Sequence, residues 1–117
     1  MVYTEIITTP TCTYTIKIGR NEKENDTLIR NSNKNDLWFH LEDNPSPHGF
    51  ISMVPNSDPN PDPNHELIYK TALLVKKYSN CKHIPSVSVI YTKIENLCLT
   101  KKLGTVIIKK KTCKINV

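Results

Sequence analysis

A single α+β domain, with a mostly antiparallel or mixed sheet and one main helix packed on a face, is what this 117-residue sequence predicts. Three observations carry that reading. Segments alternating apolar and polar residues at period two outnumber segments with helical spacing. Only one interval between them holds a well-signalled amphipathic helix. A hydrophobic content of 38% in a chain of this length suits one core rather than two.

Tyr3 to Thr8 and Thr13 to Ile18 are rich in β-branched and aromatic residues on either side of Pro10, which predicts two short strands. In the second, Tyr14, Ile16 and Ile18 share a face, and Gly19 ends it. The polar stretch Asn21 to Asn31 has only Leu28 and Ile29 to bury and reads as a short surface helix near 22–31. Asp36-Leu37-Trp38-Phe39-His40-Leu41 alternates, with Leu37, Phe39 and Leu41 on one side of a strand and Trp38 and His40 on the other. After a turn at Pro45 to Pro47, Gly49 to Val54 continues that strand or pairs with it.

Pro55 to Asn64 holds four of the eight prolines and is expected to be an exposed loop. Asp58, Asn60 and Asp62 imitate the opening of a calcium loop, but Pro63 stands where glycine is required and Tyr69 where a bidentate Glu is needed. Asn64 as N-cap, Glu66 in the first turn, and Leu67, Thr71, Leu74, Val75 and Tyr78 at three-to-four spacing predict the main helix over about 64–79. Lys76 and Lys77 near its end match the helix dipole. Ser86 to Thr92, with Val87, Val89 and Tyr91 on one face, is the clearest strand. Gly104 marks a turn between Leu97 to Thr100 and Thr105 to Ile108, and Thr112 to Val117 is the last strand.

The net charge of +5 is unevenly distributed. Residues 1–100 carry ten Lys/Arg against eleven Asp/Glu, so the excess resides in Lys101, Lys102, Lys109, Lys110, Lys111 and Lys114, a basic end that favours polyanions. No basic start followed by an apolar core opens the chain, and no apolar run reaches membrane-spanning length. A cytoplasmic setting without membrane contact is therefore expected, with Cys12, Cys81, Cys98 and Cys113 as reduced thiols. The absence of a C-x-x-C pair leaves a structural zinc site unsupported, and neither metal nor cofactor is expected.

The densest chemical cluster is Asp36-Leu37-Trp38-Phe39-His40 with His48 eight residues on. Two readings stay open. Trp38 and His40 leave the sheet together and, with His48, stack bases or meet phosphates; or Trp38 packs under the main helix and the histidines bond to backbone. Asp36, Ser46, His40 and His48 also supply the residue types of a nucleophilic triad, or with a metal a hydrolytic site, without any local signature of either. Lys109-Lys110-Lys111 beside β-branched residues suits phosphate contact and also edge-strand protection. Arg20, after Gly19 at a turn, is a further candidate anion contact.

Taken together, Gly19-Arg20, Glu24-Asn25-Asp26 with Leu28-Ile29, Asp36-Leu37-Trp38-Phe39-His40, His48, Ala72, Tyr78-Ser79, Val87-Ser88-Val89-Ile90-Tyr91-Thr92 and Gly104 resemble the NFACT-R (NFACT RNA-binding) domain family in order and interval. The resemblance spans the one domain, 1–117, and is strongest over 13–117. It is nearest to small standalone eukaryotic members, although no coiled-coil tail follows Val117 here and Ser46-Pro47 replaces the usual Gly-containing turn before the histidine. The resemblance implies a role near RNA, since larger relatives take part in ribosome-associated quality control and engage tRNA and the large subunit; some standalone relatives are associated with DNA sensing.

The expectation is a non-catalytic RNA-binding module for tRNA or ribosomal RNA. Arg20, Lys101, Lys102, Lys109, Lys110 and Lys111 hold phosphates in that reading, while His40, His48 and Trp38 contact a base or ribose and Asp36, Asn25 and Ser79 support them. The alternatives are an RNA-processing or RNA-modifying enzyme using Asp36, His40 and His48, a DNA-binding sensor, and an adaptor docking on a ribosome-associated protein through the proline-rich loop.

Overall fold

A computed structural model of the chain describes residues 3–10, 12–55, 65–102 and 105–117. Among these, two α-helices and eight strands follow the order β1 (Tyr3–Thr8), β2 (Cys12–Gly19), α1 (Glu22–Arg30), β3 (Leu37–Leu41), β4 (His48–Pro55), α2 (His65–Lys77), β5 (Ser88–Lys93), β6 (Leu97–Leu99), β7 (Val106–Ile108) and β8 (Cys113–Asn116), with one 3-10 turn, Ile94–Asn96, between β5 and β6. Six strands form one sheet in the order β1-β2-β4-β3-β5-β8, and β6 and β7 form a separate two-stranded ribbon. Every pair is antiparallel. The α+β class and the antiparallel sheet agree with the sequence pattern; the proline-rich stretch past Pro55, the Asn64 cap and the Gly104 turn lie outside the described residues.

The central hairpin sets the two faces of the sheet. Leu37 pairs with Ile51, Trp38 with Phe50 and Phe39 with Gly49, so Gly49 to Val54 is the partner of β3 and not its continuation. Period two then sends Leu37, Phe39, Leu41 and Ile51 to one face and Trp38 and Phe50 to the other. The first face joins Tyr14, Ile16 and Ile18 of β2 and Val89 of β5 in a core closed by Leu67, Ala72 and Val75 of α2. The second face is a smaller core of Trp38, Phe50, Ile29 and Leu97. Trp38 is thus buried at 2% exposure, but beneath α1 and the β6–β7 ribbon rather than beneath the main helix as the packing reading had it.

Each helix sits where its own residues allow. In α1 the Asn21 side chain accepts from the Glu24 amide at 2.8 Å, and Glu24 accepts from the Arg20 amide at 3.0 Å, a reciprocal cap that starts a helix otherwise poor in apolar residues. Ile29 anchors it. In α2 the three-to-four spacing buries Leu67, Thr71 and Val75, and the end is held by Ser79, whose hydroxyl donates to the Lys76 carbonyl at 2.7 Å and accepts from the Cys81 amide at 3.0 Å. Ser79 is therefore a helix-end residue on the α2 face.

The close approach of α2 to the sheet depends on Gly49. A Cβ there would lie 2.7 Å from Val75 Cγ2 and 3.1 Å from Phe39 Cβ, with Thr71 Cγ2 at 3.3 Å, and these are stem and branch atoms of fully buried side chains that leave little to yield. Gly49→Ala is expected to lower unfolding stability by about 1–3 kcal/mol, read as a reduced urea midpoint at unchanged slope.

Candidate nucleic-acid interface

Continuing the β3–β4 register one step beyond Phe39 and Gly49 sets His40 opposite His48 on the Trp38 face. The three rings form a compact group. His40 stacks on Trp38 with centroids 5.7 Å apart and planes 17° from parallel; His48 meets Trp38 edge-on at 5.5 Å and His40 edge-on at 5.1 Å. The position that a base would take on this face of Trp38 is occupied by His40, which makes Trp38 a wall of the site rather than an open stacking platform.

Hydrogen bonds decide which ring nitrogen does what. Trp38 Nε1–H, which can only donate, reaches His48 Nδ1 at 3.1 Å. His48 Nδ1 is therefore an acceptor, and its proton resides on Nε2. His40 Nδ1 donates to the Leu41 carbonyl at 2.5 Å, which leaves His40 Nε2 as the lone-pair nitrogen. The main chain of His48 is tied to α1 through its amide, which donates to Asn25 Oδ1 at 3.4 Å. Burial pushes the His48 imidazole down to about 3, with the neighbouring His40 acting in the same sense. His40 is lowered too, by burial, against the opposing effect of its bond to Leu41. Both rings are uncharged near neutral pH.

The rings open onto a cleft of about 320 Å³. Trp38, His40, His48 and Ile90 form its floor; Thr105, Val106 and Ile108 of the β6–β7 ribbon form its roof; Leu41 and Glu42 stand at its rim. Glu42 is held by Lys114 of β8 at 2.7 Å. A second cavity of about 250 Å³, between β1, β2 and α2, is lined by Ile7, Tyr14, Leu67 and neighbours and meets none of the sequence-predicted site residues.

Asp36 does not join the histidines. It is buried, and its Oδ2 accepts from the Asn33 amide at 2.9 Å and the Ser52 hydroxyl at 3.3 Å, closing the turn into β3. Ser46 is likewise engaged, accepting from the Leu41 amide at 3.1 Å and donating to the Pro47 carbonyl at 2.9 Å. The Asp36, His40 and His48 constellation of the enzyme alternative thus reduces to a pair of histidines. Among the described residues no group of three or more His, Cys, Asp or Glu gathers to hold a metal ion, and no helix is long and apolar enough to cross a membrane.

Comparison with known proteins places this geometry in a family. The model of the NFACT protein RNA binding domain matches residues 1–110. The chain belongs to the NFACT RNA-binding domain family. It is 34% identical over 87 residues to mouse coiled-coil domain-containing protein 25, covering 73% of this chain and 41% of that protein. It is 31% identical over 84 residues to the Rqc2 homolog RqcH of Bacillus subtilis, covering 71% of this chain and 14% of that protein. The C-terminal structure of the fibronectin/fibrinogen-binding protein from Streptococcus suis superposes with a TM-score of 0.76 at 28% identity, over 89% of this chain and 41% of the other. The chain spans well under half the length of these relatives.

Within this NFACT RNA-binding domain the basic residues divide. Lys101 and Lys102 are exposed beyond β6, and Lys109, Lys110 and Lys111 are exposed in the link from β7 to β8, not on an edge strand. All five flank the ribbon that roofs the cleft. Arg20 is elsewhere: its guanidinium lies 4.3 Å above the Tyr78 ring, part of the α2-face packing, which draws it away from the histidines. Asn25 does support the site, by anchoring the His48 main chain and by filling the space beside Gly19, where a Cβ would collide with its Oδ1.

Ile90, Glu42, Thr105, Val106 and Ile108 were not among the sequence candidates. Ile90 was recoverable, since it falls on the face of β5 opposite Val89 and pairs with His40. Nothing in the sequence pattern tells that the ribbon folds over this face.

Because the unfolded chain takes up a proton on His48 near the ordinary 6.5 while the folded chain refuses it until about pH 3, stability is complete above pH 6.5 and drains away as pH falls toward 3. Thermal melts between pH 7 and 4 are expected to fall steeply, by a few kcal/mol in all, and His48→Gln is expected to flatten that acid limb.

Proposed function

We propose that this domain binds RNA, with exposed Lys101, Lys102, Lys109, Lys110 and Lys111 holding the phosphate backbone and the His40–His48 cleft meeting a base or ribose. The observation that carries the reading is the adjacency of two features: a small cleft with uncharged polar nitrogens, and exposed basic residues in the segments flanking the ribbon strand that lines it. Phosphate contacts supply affinity without sequence information, and groups in the cleft add selectivity. The family match is to an RNA-binding domain, and the likeness to an Rqc2 homolog supports a place in ribosome-associated quality control, with tRNA or ribosomal RNA as the natural ligand. The role is binding rather than catalysis, a reading supported by the engagement of Asp36 in its own turn. Arg20, committed to Tyr78, is left out of the interface.

Anisotropy titrations with tRNA, single-stranded RNA and duplex DNA over a range of salt are the test. RNA-preferring binding that weakens with salt is expected. Changing Lys109, Lys110 and Lys111 together to Glu is expected to weaken it broadly and to reduce the log–log salt slope by roughly 2, three lost contacts at about 0.7 each for single strands. A slope and affinity unchanged by that substitution would remove the basic link from the interface, and equal affinity for duplex DNA would favour a general polyanion sensor.

A further inference from the structure

We infer that the cleft between the two histidines and the β6–β7 ribbon receives one unstacked nucleobase by its polar edge, while the phosphates of the same strand stay outside on the ribbon's lysines. The inference rests on the RNA-binding reading and narrows it to a ligand group.

Its first support is the fixed pair of tautomers. The bond from Trp38 holds the His48 proton on Nε2, and the bond to Leu41 leaves the His40 lone pair on Nε2. Among the described residues every buried side-chain nitrogen or oxygen has a hydrogen-bond partner, and His48 Nε2 bonds none of them, so it is accessible within the cleft that it lines. The floor therefore presents one donor and one acceptor from rings 5.1 Å apart. Every nucleobase carries an adjacent acceptor and donor on its pairing edge, whereas a phosphate carries acceptors alone and meets only one complementary group here.

Charge points the same way. On β3 and β4 the titratable groups facing the cleft are His40 and His48, both uncharged near neutral pH; Glu42 at the rim is negative and bound to Lys114 of β8. Ile90 of β5, Thr105, Val106 and Ile108 of the ribbon, and Asn25 of α1 against the His48 main chain are all uncharged. A buried anion has no cation to meet in such a site. The remaining walls, Trp38, Leu41 and Ile90 with the ribbon's Val106 and Ile108, suit the flat apolar faces of a base. A volume of about 320 Å³ falls at the small end of ligand sites, room for one nucleoside and not for a stretch of chain.

Trp38 is the only tryptophan of the chain and lines the cleft, so its emission reports occupancy. Two short single-stranded RNAs of equal length, one complete and one abasic throughout, are titrated at fixed salt, with anisotropy of labelled strands following binding and Trp38 emission of unlabelled ones following the cleft. Both strands are expected to bind, but only the complete one to quench Trp38, and about tenfold more tightly. His40→Phe keeps a ring and removes the acceptor; it is expected to cut the complete strand's affinity roughly fivefold, with unchanged affinity for the abasic strand showing that the variant is folded. The ratio of wild-type to variant affinity should hold between pH 8 and pH 7, where a histidine lowered below its ordinary value stays uncharged. Equal affinity for the two strands, or unmoved Trp38 emission, would overturn the inference while leaving RNA binding intact; a ratio that grows as pH falls would overturn it in favour of a charged imidazole on phosphate. Quenching by free adenosine but by neither strand would assign the cleft to a small ligand. Failure of both strands to bind would sink the RNA reading, and this inference with it.

Discussion

The register of β3 on β4 is the constraint on which the remainder of the structure depends. With Phe39 opposite Gly49, the main helix finds the one position in the central hairpin without a side chain and closes to within van der Waals distance of the sheet. With Trp38 opposite Phe50, the other face gains its own small core. The same register sets His40 opposite His48. A slip of one residue would exchange the faces and dismantle all three arrangements together, so core packing and the histidine site share a single geometric cause.

The Trp38–His48 bond turns that geometry into chemistry. An indole N–H has no acceptor capacity, so a histidine that receives it gives up the option of protonating that nitrogen. Burial reinforces the choice, because desolvation disfavours the charged ring. The pair of histidines is consequently a neutral donor–acceptor unit and not a cationic patch, and positive charge is carried by exposed lysines at the ends of the ribbon. Such a division suits single-stranded nucleic acid, in which charge and base edge present themselves to different parts of a surface.

Several features were legible in the sequence because they follow from local periodicity. The alternation through Leu37-Trp38-Phe39-His40-Leu41 predicted both the strand and the side of each residue, and the spacing of Leu67, Thr71 and Val75 predicted the buried stripe of α2. The family motif with its downstream histidine directed attention to His40 and His48, which the structure brings into contact. Trp38 was ambiguous for a physical reason: β3 is central and covered on both sides, so an apolar residue on either face is consistent with core. Asp36 and Ser79 stand in the family pattern yet act on their own turns, since short-range bonds to Asn33 and Lys76 claim their side chains.

The sequence by itself determined the α+β class, the strand and helix positions, the concentration of positive charge after residue 100 and the family, because propensity, period and motif are properties of neighbours along the chain. Only the tertiary structure decided that the β6–β7 ribbon roofs the histidines, that Arg20 turns to Tyr78 on the opposite face, and which nitrogen of each imidazole carries the proton. Apart from the bond of His40 to the adjacent Leu41 carbonyl, these are contacts between separate elements of the fold, and a hydrogen-bond partner or a burial cost exists only once the partner has been brought there.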